Sequence, residues 1–355
     1  MSRLSPYLRH RLITEREVVA EVLRLHGAAA SGKFVQEVLW RTYWKGWLDM
    51  RPAVWTRFLD ERERQRLGAH DARTLDAAER GATGIDGFDD WARELVATGY
   101  LHNHARMWFA SIWIFTLRLP WTLGADFFLR HLLDADAASN TLSWRWVAGL
   151  HTVGKIYLAT ADNIARCTNG RFSPVGLVTA AAAVTDAFVV PPAIVPLALN
   201  SPDNVPSLLL VTHEDMHPES VVPDGTTVAA VVVAIDATLL WGDKSREFAA
   251  TAGDDTATRC DAHFRRTTTR SDTLDASTLI DAARAAGVRQ IITARAPVGP
   301  VADALAALSG NLANAQITLV QLQRQWDSTF WPHATKGYFA FREHILALLH
   351  KEGLA

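Results

Sequence analysis

The segment Leu132–Trp146, LLDADAASNTLSWRW, constrains the fold of this 355-residue chain more than any other stretch. Two acids (Asp134 and Asp136), an amide (Asn140) and two indoles (Trp144 and Trp146) fall within thirteen positions. An apolar interior penalises an unpaired carboxylate or amide by several kcal/mol, so these groups need partners. The large flat indole faces beside them are the kind of surface that a planar aromatic group stacks on.

Tryptophan is unevenly spread: ten of thirteen precede residue 147, so the two halves of the chain have different tasks or different origins. The length suits two domains, each with its own core. Cys167 and Cys260 form neither a C-x-x-C nor a zinc pattern, and with Arg3, Arg9 and Arg11 among polar residues at the start no secretory signal is expected. A reducing, cytoplasmic setting is expected. The most apolar run, 175–199, contains Asp186 and three prolines (Pro191, Pro192 and Pro196), so no membrane helix is expected there. Residues 1–172 hold 23 basic against 19 acidic side chains, too small an excess to indicate a polyanionic partner.

The first part reads as helical. Apolar spacing predicts helices over 13–26, with Thr14 as N-cap, and over 34–48, 86–97, 100–119 and 125–134. An Ala/Val/Pro-rich connector follows. After it, strand-like runs at 207–212, 228–235, 290–293 and 317–322 alternate with helical runs at 244–251, 273–286 and 301–308. The fold class expected is therefore an all-α domain followed by a smaller α/β domain with a parallel, Rossmann- or flavodoxin-like sheet. The α/β part has neither G-x-G-x-x-G nor G-x-x-x-x-G-K-[ST].

Three further clusters accompany the acidic-aromatic segment. SRLSP opens the chain, with two hydroxyls and an Arg suited to a phosphate. QEVLWRTYW sets Glu37, Trp40, Arg41 and Trp44 along one helix; its simplest reading is an amphipathic helix with an internal Glu–Arg pair. TGYLHNHARM brings Asn103, Arg106 and Met107 to adjacent turns, and a buried Arg106 would need Asp134 or Asp136 as its anion. A calcium loop starting at Asp134 fails, because the sixth position is Ser139 rather than Gly and the twelfth Arg145 rather than Glu. No metal site is expected.

In order and spacing, SRLSPYL, QEVLWRTYW, TGIDGFDDWARELVATGYLHNHARM and LLDADAASNTLSWRWVAG resemble the FAD-binding helical domain of the photolyase/cryptochrome family. The resemblance covers residues 1–172, leaving 173–206 as connector and 207–355 as the α/β domain. It implies FAD as cofactor, with Ser2, Arg3, Leu4 and Ser5 on the pyrophosphate and Asp134 and Asp136 on flavin and ribose. It also implies that Asn140 faces flavin N5 and that Asn103, Arg106 and Arg41 line the same cavity. It further implies that Trp40 and Trp146 cradle a flipped-out pyrimidine dimer, with Glu37, Asn103 and Met107 around it; photolyases are themselves the standard example of such base extrusion. Glu37 and Asn103 would act in catalysis. Trp144 and Trp121 match the first two members of the family's electron-transfer chain.

The resemblance thus predicts a monomeric carbon–carbon lyase like deoxyribodipyrimidine photo-lyase, acting on UV-damaged DNA. Its rival is a cryptochrome-like FAD photosensor or DNA-binding protein without repair, and a third reading is a flavin-free relic. The chain departs from the family pattern in four ways. The family's upstream α/β domain does not precede SRLSP here, and Met1 stands where Thr is preferred. The third, surface tryptophan of the family's electron-transfer chain would fall near Gly68, so it is absent or replaced, with Trp55 as the candidate substitute, and the Asp that pairs with the matching Arg falls at Thr116. The α/β half resembles the family's antenna domain moved behind the FAD domain, through its ending DSTFWPHATKGYFAFRE. A purely structural role is the alternative, and no antenna pigment is assigned.

Overall fold

The computed structural model describes residues 2–68, 71–195 and 201–354, so Met1 and part of the predicted connector lie outside the described residues. The chain opens with α1 (Ser5–Arg9) and α2 (Glu15–Asp49). It continues through α3 (Pro52–Leu67), α4 (Ala72–Arg80), α5 (Phe88–Thr98), α6 (Asn103–Ser111), α7 (Trp121–His131), α8 (Ala137–Val147) and α9 (Ala161–Cys167). Strands β1 (Ser207–Thr212), β2 (Val228–Ala234), β3 (Thr268–Ser271), β4 (Gln290–Ala294) and β5 (Thr318–Leu322) then alternate with α10 (Asp243–Phe264), α11 (Ala276–Ala285) and α12 (Pro300–Asn314). Three short helices close the chain: α13 (Gln325–Phe330), α14 (Tyr338–Arg342) and α15 (Ile345–Lys351).

Contacts divide the chain into two compact units. One gathers Met1–Met50, Ala193–Leu240 and Arg246–Ala355; the other comprises Arg51–Pro192 and Trp241–Ser245. The sequence reading groups residues 1–50 with the rest of 1–172, whereas their packing places them with the sheet. The reason is physical. Trp326 Nε1 donates to Thr42 Oγ1 at 3.1 Å, and Gly46 lets Trp331 approach α2 so closely that a β-carbon would lie 2.8 Å from its ring. The stretch from 173 to Pro192 likewise packs in the helical unit, where Val184 N donates to Ala148 O and Arg51 Nε to Pro191 O.

In the first unit the parallel strands lie in the order β3-β2-β1-β4-β5. One face packs Leu208, Leu210 and Val232 against Leu279, Leu305 and Leu312 of α11 and α12; the other packs Leu209, Val211 and Val233 against Ala249 and Cys260 of α10. Strands buried on both faces read as continuous apolar runs, which is why β1, β2 and β4 are legible. The short, partly exposed β3, TTRS, carries no such signal and is an addition. Helix α10 runs well beyond the predicted 244–251. The two predicted N-terminal helices follow one another directly within α2, separated at Gly27, whose φ of 70° interrupts the helical backbone. Thr14 does cap α2, in a capping box with Glu17.

The second unit is helical and built around aromatic rings. Phe109 packs on Phe127 and Phe128, and Trp113 and Trp144 meet edge to face at 6.2 Å. The helix expected over 100–119 ends early: α6 passes into one π turn, Ile112–Thr116. The next helix starts at Trp121 rather than at 125, with Pro120 as its N-cap. No helix among the described residues is long and apolar enough to cross a membrane.

Candidate functional site

The acidic-aromatic segment straddles a turn and a helix in the helical unit. Asp136 is the N-cap of α8, its Oδ1 accepting from Ser139 N at 2.6 Å. Asp134, two residues earlier, is buried and takes a bidentate pair from Arg106, at 3.1 and 3.2 Å. Arg106 Nε also donates to Leu101 O at 2.9 Å. The anion expected for Arg106 is therefore Asp134, and such a planar fork fixes orientation as well as charge. Thr116 leaves Arg106 no poorer, and its Oγ1 accepts instead from Val178 N at 3.4 Å.

Asn140 sits on the first turn of α8, buried, with Nδ2 donating to Ala125 O at 2.8 Å. Trp144, one turn further on, is 2 % exposed and rests against Gly124 of α7. Arg145 is equally buried; desolvation pushes its pKa down, opposed by Asp186, and its guanidinium lies 5.8 Å from the Trp121 ring. Ser139 Oγ is buried without a hydrogen-bond partner among the described residues. Polar groups held this way around an apolar floor suit the polar edge of a flat, buried ligand.

The tryptophan series continues in an unexpected direction. Trp121 packs on Phe58 at 5.7 Å, Phe58 on Trp55 at 5.4 Å, and Trp55 on Trp241 at 5.9 Å. Trp55 is itself buried, so it is no surface terminus, and the half-buried Trp241 follows it.

The remaining expected residues are dispersed. Asn103 is exposed at the start of α6, and Met107 and Trp146 are half-buried. Trp146 stacks on Tyr157 at 5.6 Å. In the sheet-containing unit Ser2 and Arg3 are exposed, Leu4 and Ser5 half-buried, and Arg41 Nη2 donates to Ser5 Oγ at 2.6 Å. A guanidinium bound to a hydroxyl beside a polar loop suits a diphosphate. Glu37 is exposed on α2. Trp40, however, is stacked face to face with Tyr338 of α14, 3.4 Å between centroids and 11° between planes. Tyr338 is buried, which raises its pKa, and its hydroxyl donates to Gln36 O at 2.8 Å. Sequence reasoning missed Tyr338, Tyr157 and Gly124. Only Gly124 left a trace, as a lone glycine inside an apolar helix, which marks a close approach.

Comparison with known proteins agrees with the pattern around Asp134. Residues 34–170 match the family model described as the FAD binding domain of DNA photolyase. A deoxyribodipyrimidine photo-lyase from Streptomyces griseus is 38% identical over 152 residues, 42% of this chain and 32% of the relative. One from Thermus thermophilus is 38% identical over 149 residues, 42% of this chain and 35% of the relative. The chloroplastic/mitochondrial cryptochrome DASH of Ostreococcus tauri is 32% identical over 180 residues, 49% of this chain and 32% of the relative. The matched segment thus spans about a third of each of these relatives.

Proposed function

We propose, from the match of residues 34–170 to the FAD binding domain of DNA photolyase, that the protein is a light-driven DNA repair flavoprotein that splits cyclobutane pyrimidine dimers. The observation that carries the reading is the arrangement on α8: Arg106 forked onto Asp134, Asp136 as cap, Asn140 on the first turn and Trp144 below it. Bound FAD supplies the light-driven one-electron donor. The protein's part is to bind, orient and shield it. Arg106 and Asp134 lock one another, so that neither rotates when a ligand arrives. Asp136 and Asn140 offer polar contacts on the floor, and Trp144 and Trp121 are the protein-side electron donors. Ser2, Arg3, Leu4, Ser5 and Arg41 are assigned to the diphosphate. Glu37, Asn103, Trp40, Met107 and Trp146 are assigned to the extruded lesion.

The purified protein is expected to show a flavin spectrum, and a colourless protein that takes up no added FAD sinks the proposal. Illuminating the reduced protein with dimer-containing single- and double-stranded DNA should restore pyrimidine absorbance. Trp146→Ala should weaken binding of that DNA and leave FAD in place.

A second reading, an FAD photosensor without repair, is favoured by the stack of Tyr338 on Trp40. One face that a base would occupy is covered by the chain itself. Removing Tyr338 should expose that face, and a base stacked on an aromatic ring gains about 1–3 kcal/mol, so Tyr338→Ala is expected to tighten binding of dimer-containing DNA roughly tenfold. Unchanged binding, measured by fluorescence anisotropy on a variant that keeps its circular dichroism, removes Trp40 from any lesion site.

A further inference from the structure

The C-terminal edge of the sheet is filled by the protein's own residues 9–11. In an open parallel sheet the strand order reverses next to the first strand, here between β1 and β4, and the crevice at the carboxyl ends there is where ligands usually bind. The chain leaving β1, His213–Glu214–Asp215, is buried throughout. Arg9 is bidentate to Glu214, at 2.6 Å for both bonds. His10 Nδ1 lies 2.6 Å from His213 O, and Met216 N donates to His10 O at 2.9 Å. Arg11 forks onto Asp327 of α13 at 2.7 and 2.8 Å and reaches Asp215 at 3.3 Å, while Arg324 clasps Asp215 at 2.5 and 2.6 Å. Arg11 is held at φ 50°, a left-handed backbone that side-chain-bearing residues adopt only when their surroundings impose it.

Charges buried at this density destabilise a fold unless every one is paired, and apolar residues would close the same space more cheaply. The cluster therefore points to a requirement for exact placement rather than for packing. What it places is α1. That five-residue helix has Ser5 at its first position and Arg9 at its last, and Ser5 already accepts from Arg41. We propose that Glu214, Asp215 and Asp327 are positioning residues for the diphosphate loop: by fixing Arg9 and Arg11 they fix α1, and with it Ser2–Ser5 and Arg41. This rests on the FAD reading above and gives the α/β part a task other than holding a pigment, since its own crevice is taken.

The test uses the full chain without cofactor. Asp327→Asn and Glu214→Gln should each raise amide hydrogen exchange across residues 3–9 at least tenfold, leave exchange in β1 and β4 unchanged, and weaken FAD binding at least tenfold by fluorescence titration. Leu305→Ala, which opens a cavity under the sheet far from the cluster, serves as the control and should leave loop exchange and FAD affinity as they are. Unchanged loop exchange in both folded cluster variants overturns the proposal, as does an equal loss of FAD affinity in Leu305→Ala. If either cluster variant fails to fold, Asp327→Glu, which keeps the charge and shifts it, is read by the same criteria. Failure of the unaltered chain to bind FAD overturns the cofactor reading instead, and the exchange result still decides whether the cluster holds the loop.

Discussion

Gly124→Ala is expected to unseat Trp144. A β-carbon at this position would lie 2.3 Å from Trp144 Cη2, 2.5 Å from Cζ3 and 2.9 Å from Trp113 Nε1. None of these atoms can retreat easily: both indoles are almost fully buried, Trp113 Nε1 is tied to Pro120 O at 3.0 Å, and Trp144 is wedged against Phe128 at 5.1 Å. Overpacking of this kind costs about 3 kcal/mol at the upper end of its usual range. For a unit of this size that is a fall of roughly 10 °C in melting temperature. The near-ultraviolet circular dichroism of the indoles should weaken at the same time, because their fixed edge-to-face geometry is lost. A variant that melts within about 2 °C of the parent with its aromatic signal intact would show that α7 and α8 can slide apart. Under the proposed role of Trp144 as an electron donor, flavin photoreduction should fall with the displaced ring.

Acid is expected to loosen the sheet-containing unit through its buried histidines. His213 is buried beside β1; desolvation, reinforced by Arg9 and opposed by Glu214 and Asp236, lowers its pKa to about 4 from 6.5. His10, 6.0 Å away ring to ring, is lowered well below its ordinary value by burial first and then by Arg9. Neither Nε2 has a hydrogen-bond partner among the described residues, so both rings are carried neutral. The unfolded chain takes up protons on these rings from about pH 6.5 downward while the folded chain does not. Stability is therefore complete above about pH 6.5 and drains away as pH falls towards 4, by roughly 3 kcal/mol for His213 alone. Urea midpoints at pH 7.5, 5.5 and 4.5 should fall in that order, and His213→Gln should flatten the trend. A midpoint that holds steady down to pH 4.5 in the parent protein would mean that the histidines find protonated partners.

What the sequence discloses and what it hides follows from range. Fully buried parallel strands announce themselves as unbroken apolar runs, and Thr14 with Glu17 is a local signature, so β1, β2, β4 and the start of α2 are readable. The four motifs are short and mostly internal to one or two turns, so Asp134, Asn140 and Trp144 are found with their neighbours. Arg106 and Asp134 are paired by the demand that a buried guanidinium find an anion. Strand β3 is hidden because it is only four residues long, partly exposed and without an apolar residue. Tyr338 is hidden because its partner, Trp40, lies about as far away in the chain as Gln36, which its hydroxyl reaches at a separation of 302. The true company of residues 1–50 is hidden for the same reason: nothing in Arg9 or Arg11 states that its acid comes after residue 207.

That separation has a consequence for the order in which the molecule can be made. Arg9 meets Glu214 across 205 positions and Arg11 meets Asp327 across 316. A ribosome adds residues at roughly 5–20 per second, N-terminus first, and domains generally fold as they emerge. The stretch Arg51–Pro192 is continuous and lacks only Trp241–Ser245 of its unit, so most of that unit can fold as soon as it leaves the tunnel. Residues 1–50 cannot; Arg9 and Arg11 wait for Glu214 and Asp327 until the sheet and α13 have been synthesised. During translation the loop that carries Ser2–Ser5 is thus made before its anchors and set only after them, so competence to receive a dinucleotide is gated by the arrival of Asp327.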